Sequence, residues 1–110
     1  MSDARDVRIV ALWRDDPQEA PMIIDARIDD MRIVSTWELF GAFSLDADGV
    51  RPFVLRRDGR IDFGHDENWR TDLREATIKV GSEFSVWFNE SDSGRYRIVK
   101  IAMLGAKDNK

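Results

Sequence analysis

The sequence predicts a mostly-β fold, a small barrel or strongly curved antiparallel sheet of about six to seven strands with one short helix. Two observations favour this fold class. Stretches in which apolar and polar residues alternate recur along most of the chain, as strands with one buried face require. Turn-forming residues separate these stretches at short intervals, and closing such a sheet removes its unpaired edges.

The first two strands are predicted from regular alternation. Residues 6–13, DVRIVALW, form the first strand, and residues 22–28, MIIDARI, form the second. A polar loop that contains two prolines, residues 14–21, connects them. The first strand carries on one face Val7, Ile9, Ala11 and Trp13, and the alternating apolar residues of the second strand are Ile24, Ala26 and Ile28.

Residues 31–45 admit two interpretations. The β-branched residues at their start favour a strand, in which Gly41 would mark a bulge or bend. The alternative is a second helix at about residues 30–41, capped by Asp30, which would make the fold α+β. The strand would group on one face Met31, Ile33, Trp37 and Leu39. The helix would stack Ile33, Trp37 and Phe40.

The middle of the chain predicts a hairpin and then the short helix. Asp58 and Gly59 are a strong signal for a two-residue hairpin turn. The helix is predicted at about residues 66–76, because Asp66 can cap it and apolar residues then recur at helical spacing. These apolar residues are Trp69, Leu73 and Ala76.

Residues 83–100, EFSVWFNESDSGRYRIVK, predict a closing hairpin. With its loop at residues 90–94, Trp87 lies opposite Arg97, and the two can stack as a cation–π pair. The apolar phase shifts at Val99, which predicts a bulge there. The opposite, apolar face would carry Val86, Phe88, Tyr96 and Ile98.

Length and composition limit the possibilities. The 110 residues suffice for a single domain, residues 1–110, with flexible ends at about residues 1–5 and 105–110. The absence of cysteine excludes disulfides, thiolate nucleophiles and cysteine-based metal sites. No stretch reaches the roughly 20 apolar residues that cross a bilayer, and the acidic start does not resemble a secretion signal. We therefore expect a cytoplasmic protein without a membrane partner.

His65 is the only histidine, and a metal or catalytic site can be argued only around it. Imidazole combined with carboxylates suits several metal ions, and acidic residues flank His65. No serine lies in a nucleophile elbow. A carboxylate- or metal-dependent enzyme around His65 is therefore a second alternative, whereas the favoured expectation is a chain with no catalytic residues, no metal and no cofactor.

The first alternative function is nucleic-acid binding. The whole chain has 21 acidic and 17 basic residues and a net charge of -4, which argues against nucleic-acid binding through bulk electrostatics. Residues 51–60 are nevertheless locally basic. In this alternative the protein is a small nucleic-acid-binding β-barrel, and the hairpin at residues 51–60 contacts the phosphates. The arginines concerned are Arg51, Arg56, Arg57 and Arg60.

The function that the sequence favours is a small non-enzymatic protein-interaction module. Tryptophan and arginine are enriched in the residues that dominate interface energies. Trp87 and Arg97 are predicted on the face opposite the apolar face of the last hairpin. We expect these two residues to contact another protein or a second copy of the chain, provided that solvent reaches this face.

Overall fold

Over the residues that it describes, the computed structural model shows a closed antiparallel barrel of eight strands with a ninth, very short strand attached. The structure describes residues 4–18, 20–45, 49–64 and 68–104. The strands are β1 (Arg5–Trp13), β2 (Met22–Asp29), β3 (Arg32–Ile33), β4 (Leu39–Leu45), β5 (Gly49–Leu55), β6 (Arg60–Asp62), β7 (Asn68–Thr71), β8 (Glu83–Trp87) and β9 (Ser93–Met103).

The barrel closes because β1 pairs on both of its edges. The strand order is β1-β9-β8-β7-β6-β5-β4-β2-β3, and an additional pairing joins β1 to β2. The two-residue strand β3 pairs with the end of β2, next to the closed ring. The mostly-β barrel predicted from the sequence is therefore confirmed, whereas its six to seven strands are too few.

The interior is filled by the inward-facing residues of every long strand. In β1 the predicted face is buried, with Val7, Ile9 and Ala11 at 1% exposure or less. Phe43 lies among several aromatic rings, with ring centroids 5.0 Å from Phe53 and 5.2 Å from Trp69. This core explains why a chain of this length uses many aromatic residues.

The helix predicted at about residues 66–76 is wrong. Its described part consists of β7 and one 3-10 turn at Leu73–Glu75. Trp69 and Leu73 are four residues apart. This spacing places two residues on one face of a helix, but it also places them on the same face of an extended strand, where every second residue shares a face. Burial of Thr71 between them shows that the period is two. The predicted cap, Asp66, lies outside the described residues.

The second helix considered at about residues 30–41 is also absent. Asp30 and Met31, with φ of 53° and 61°, form the tight turn between β2 and β3. An irregular segment follows before β4. Pairing is continuous through Gly41, opposite both Ile24 and Phe53, so the expected bulge is not there. A Cβ at Gly41 would instead lie 2.7 Å from the Phe53 ring.

Two predicted turns differ in detail. The hairpin at Asp58 and Gly59 exists, but Arg56 and Arg60 are its closing pair, so three residues rather than two form its loop. Gly59 has φ of 93°, as such loops require. The bulge predicted at Val99 is confirmed, because successive residues of β1 pair with Lys100 and Ile98 and leave Val99 unpaired.

The ends of the chain are described only in part. Arg5 already pairs with Ile28 in the barrel. Residues 1–3 and 105–110, which include most of the predicted flexible ends, lie outside the described residues. Within the described residues, no helix is long and apolar enough to cross a membrane.

Candidate protein-binding surface

An apolar surface lies on the outside of the barrel at β4. Side chains that point outwards from an antiparallel sheet normally meet water and are polar. In β4, however, Leu39 and Phe43 are buried in the core, and alternation therefore directs Phe40 and Ala42 outwards. The outer face of this strand is apolar as well as the inner one.

The strand pairing arranges this surface in two rows that run across the sheet. One row is charged at both ends and apolar at its centre, with the order Arg8, Asp25, Phe40, Val54 and Asp62. The next row begins with a lysine and is then apolar on four adjacent strands, with the order Lys100, Val10, Ile23, Ala42 and Pro52. Because neighbouring strands lie about 4.8 Å apart, the apolar part of the second row is roughly 14 Å wide.

Several of these apolar side chains are unusually exposed. Phe40 is 68% exposed, and Trp37, which precedes β4, is 55% exposed. Ile23 is 37% exposed. Contiguous exposed apolar surface of this kind marks interaction sites in folded proteins. We call this surface the β4 patch; it consists of Val10, Ile23, Trp37, Phe40, Ala42, Pro52 and Val54.

Two hollows lie on either side of Phe40. The first, of about 410 Å³, extends between Phe40 and Trp37 and includes Ala26 and Leu39 in its lining. The second, of about 320 Å³, includes Pro52 in its lining. Phe40 therefore projects from the surface between two concavities, each comparable with the smaller ligand pockets of proteins.

Ion pairs surround the β4 patch. Arg8 binds Asp25 at 2.8 Å, and Arg27 binds Asp6 at 3.0 Å. The hydrogen bonds from Arg27 lower the pKa of the Asp6 carboxyl. On the other side Arg56 binds Asp62 at 2.7 Å and lies 3.5 Å from Glu38, and its hydrogen bonds lower the pKa of Asp62. We call the surrounding charged residues the rim; it consists of Asp6, Arg8, Asp25, Arg27, Glu38, Arg56, Asp62 and Lys100.

Arg74 holds the irregular segment before β4 in place. Its guanidinium donates hydrogen bonds to the carbonyl oxygens of Ser35 at 2.9 Å, Trp37 at 2.7 Å, Leu55 at 3.3 Å and Arg56 at 3.1 Å. Partial burial lowers the pKa of Arg74. These hydrogen bonds fix the backbone of Trp37 to the end of β5. The exposed indole ring of Trp37 is therefore attached to a backbone segment that is held in place.

Trp87 and Arg97 are not partners. Trp87 pairs with Ser93, and Arg97 pairs with Glu83, four residues away from the predicted register. Arg97 donates a hydrogen bond to Glu83 at 3.1 Å. The Arg70 guanidinium lies 5.3 Å from the centre of the Trp87 ring, and Trp87 itself is half-buried. The predicted cation–π pair is therefore wrong, although a tryptophan–arginine contact exists with another arginine.

The four arginines of the hairpin predicted to bind nucleic acid lie in different environments. Arg51 lies over the Phe63 ring at 3.8 Å, on the same strand face as buried Phe53. Arg56 belongs to the rim, and Arg60 lies 3.8 Å from Asp58. Arg57 is exposed. Three of the four arginines predicted to bind phosphates therefore already lie against a ring or a carboxylate of the same chain.

The remaining predicted site cannot be placed. His65 lies outside the described residues, as do Asp66 and Glu67. Among the residues that the structure describes, no three histidine, cysteine, aspartate or glutamate side chains are grouped closely enough to hold a metal ion.

Comparison of the chain with protein-family models, curated proteins and solved structures gives no significant match.

Sequence reasoning missed Trp37 and Phe40 as surface residues. For Phe40 the signal was available in residues 39–43, where apolar residues do not alternate with polar ones. A strand with two apolar faces either lies between two layers or exposes one face. A chain of this length builds only one core, so one face had to be exposed.

Proposed function

We propose that this protein is a small non-enzymatic interaction module that binds a protein chain through the β4 patch. The observation that carries the proposal is the exposure of Phe40, at 68%, at the centre of a surface whose neighbouring row is apolar on four adjacent strands. Aromatic side chains at the centre of a patch and charged residues at its edge resemble the core and rim of protein interfaces.

The β4 patch replaces Trp87 and Arg97 as the proposed contact surface. Arg97 already binds Glu83 of the same chain at 3.1 Å, so its guanidinium is less available to a partner. Trp87 is half-buried, so less of its ring is available to a partner than is the case for Phe40. Phe40 and Trp37 also have hollows beside them, where a partner's side chains can be buried.

A photo-crosslinking amino acid placed at position 40 tests this proposal. The variant Phe40→p-benzoylphenylalanine is irradiated in an extract of the native source, and crosslinked chains are identified by mass spectrometry. The matched control has the same replacement at Val80, which is 60% exposed in the turn between β7 and β8. We expect specific adducts, either with another protein or with a second copy, at position 40 only. Identical adducts at both positions would contradict the proposal.

A further inference from the structure

We infer that the partner of the β4 patch is a second copy of this chain, in a two-fold symmetric dimer. This inference rests on the proposed function and adds the identity of the partner. In a two-fold dimer the same surface is used by both copies, so it has to be complementary to itself. The shape and the charge of the β4 patch both meet this requirement.

The shape is self-complementary because the patch carries both projection and concavity. Phe40 projects between a hollow of about 410 Å³ beside Trp37 and one of about 320 Å³ beside Pro52. When two copies face each other, Phe40 of each copy can occupy a hollow of the other. A hollow without a projection, or a projection without a hollow, would require a partner of different shape.

The charge of the rim also favours a second copy. Four of its residues are basic and four are acidic, so the rim is neutral although the chain as a whole has a net charge of -4. Two copies can therefore approach through this surface without the repulsion that a net charge on the rim would cause. Seven of these eight residues, all except Lys100, already form ion pairs within one chain, so a highly charged partner has little to neutralise.

The expected dimer is weak. The β4 patch has seven residues, and even with its rim it is smaller than the 20 to 30 residues per partner found in interfaces of about 800 Å². We therefore expect a dissociation constant in the micromolar range. Such a dimer forms in concentrated solutions and dissociates on dilution.

Sedimentation equilibrium of the purified protein provides the test, over roughly a hundred-fold range of concentration around the micromolar range. We expect reversible dimerisation of the wild type and an increase in the dissociation constant of about tenfold or more for Phe40→Arg. The matched control, Val80→Arg, should dimerise as the wild type does. A wild type that remains monomeric throughout, or a Phe40→Arg variant that dimerises normally, would overturn the inference.

Single cysteines give an independent test, because the chain has none of its own. Ala42 lies near the centre of the β4 patch, so Ala42→Cys should form disulfide-linked dimers under mild oxidation about tenfold faster than Val80→Cys. Equal rates would count against a dimer through this surface. A monomeric protein whose position 40 crosslinks to a different protein would refute the dimer and leave the proposed function intact.

Discussion

The guanidinium of Arg74 donates a hydrogen bond of 2.7 Å to the carbonyl oxygen of Trp37, a residue 37 positions earlier in the chain. Three further carbonyl oxygens accept hydrogen bonds from the same guanidinium. One side chain therefore connects the segment before β4, which carries the exposed Trp37 ring of the β4 patch, to the end of β5.

Replacing Arg74 with methionine should destabilise the barrel by about 2 to 3 kcal/mol, because four carbonyl oxygens lose a charged donor. Urea unfolding measures this change. Arg57→Met is the matched control, since Arg57 is exposed on the neighbouring hairpin and should change the free energy of unfolding by less than about 0.5 kcal/mol. Similar effects of both substitutions would show that Arg74 does not organise this segment.

Gly41 has no space for a side chain. A Cβ there would lie 2.5 Å from the carbonyl oxygen of Ile23 and 2.7 Å from the Phe53 ring. The Ile23 oxygen belongs to the paired backbone and cannot move aside, so Gly41→Ala should cost about 1 to 3 kcal/mol. Ser44→Ala, on the exposed face of the same strand, should be nearly neutral. Equal denaturation midpoints for the two variants would contradict the close contact.

The sequence predicted which side chains face the core more reliably than it predicted which residues pair across neighbouring strands. In the last hairpin, the structure differs from the predicted register by four residues, an even number, so each residue keeps its face while its partner changes. The cause is local. The Asn89 side chain accepts hydrogen bonds from the amides of Ser91 and Asp92, at 2.7 Å and 2.9 Å, and this starts the loop earlier than predicted.

The candidate site was less predictable than the fold. Inward and outward faces follow from alternation, but the stretch at residues 39–43 is apolar on both faces, so only the folded structure shows that Phe40 is the exposed residue. The pairing that places Phe40 next to Val54, and Ala42 next to Ile23, joins residues that are distant in sequence. Patterns within one segment carry no information about such rows.

The stability of the barrel should decrease in acid partly through Glu83. A hydrogen bond from Arg97, followed by the charges of Arg14 and Arg95, lowers the pKa of this carboxyl. A carboxyl with a lowered folded pKa stabilises the fold above its unfolded pKa, and this contribution is lost as the pH falls through the folded value. Wild type should therefore be more stable than Glu83→Gln at neutral pH, and the difference should disappear in acid.

Urea unfolding of both proteins from neutral to acid pH checks this prediction. Repeating the series in about 1 M salt is the control, because the Debye length then falls to about 3 Å and the three arginines are screened. If the difference in the free energy of unfolding between wild type and Glu83→Gln grew as the pH falls, it would have the wrong sign. This result would refute the stabilising role assigned to the ionised Glu83.

Nucleic acid should not be retained by this protein. Arg51 lies over an aromatic ring, Arg56 binds Asp62, and Arg60 lies near Asp58, so these three arginines already contact groups of the same chain that would compete with a phosphate. On immobilised single-stranded DNA or RNA in low salt, we expect elution in the void volume. Retention that weakens as salt is added, and that is lost in Arg57→Ala and Arg60→Ala, would restore the nucleic-acid alternative.

Substitutions at Phe40 and at Trp87 distinguish the two candidate contact surfaces. Phe40→Arg places a charge at the centre of the β4 patch and should weaken association about tenfold or more. Trp87→Ala removes a half-buried ring that lies beside Arg70, so it should lower the free energy of unfolding but leave association within about twofold. Sedimentation equilibrium and urea unfolding of both variants separate the two effects. Loss of association in Trp87→Ala, with Phe40→Arg unaffected, would return the binding surface to β8 and β9.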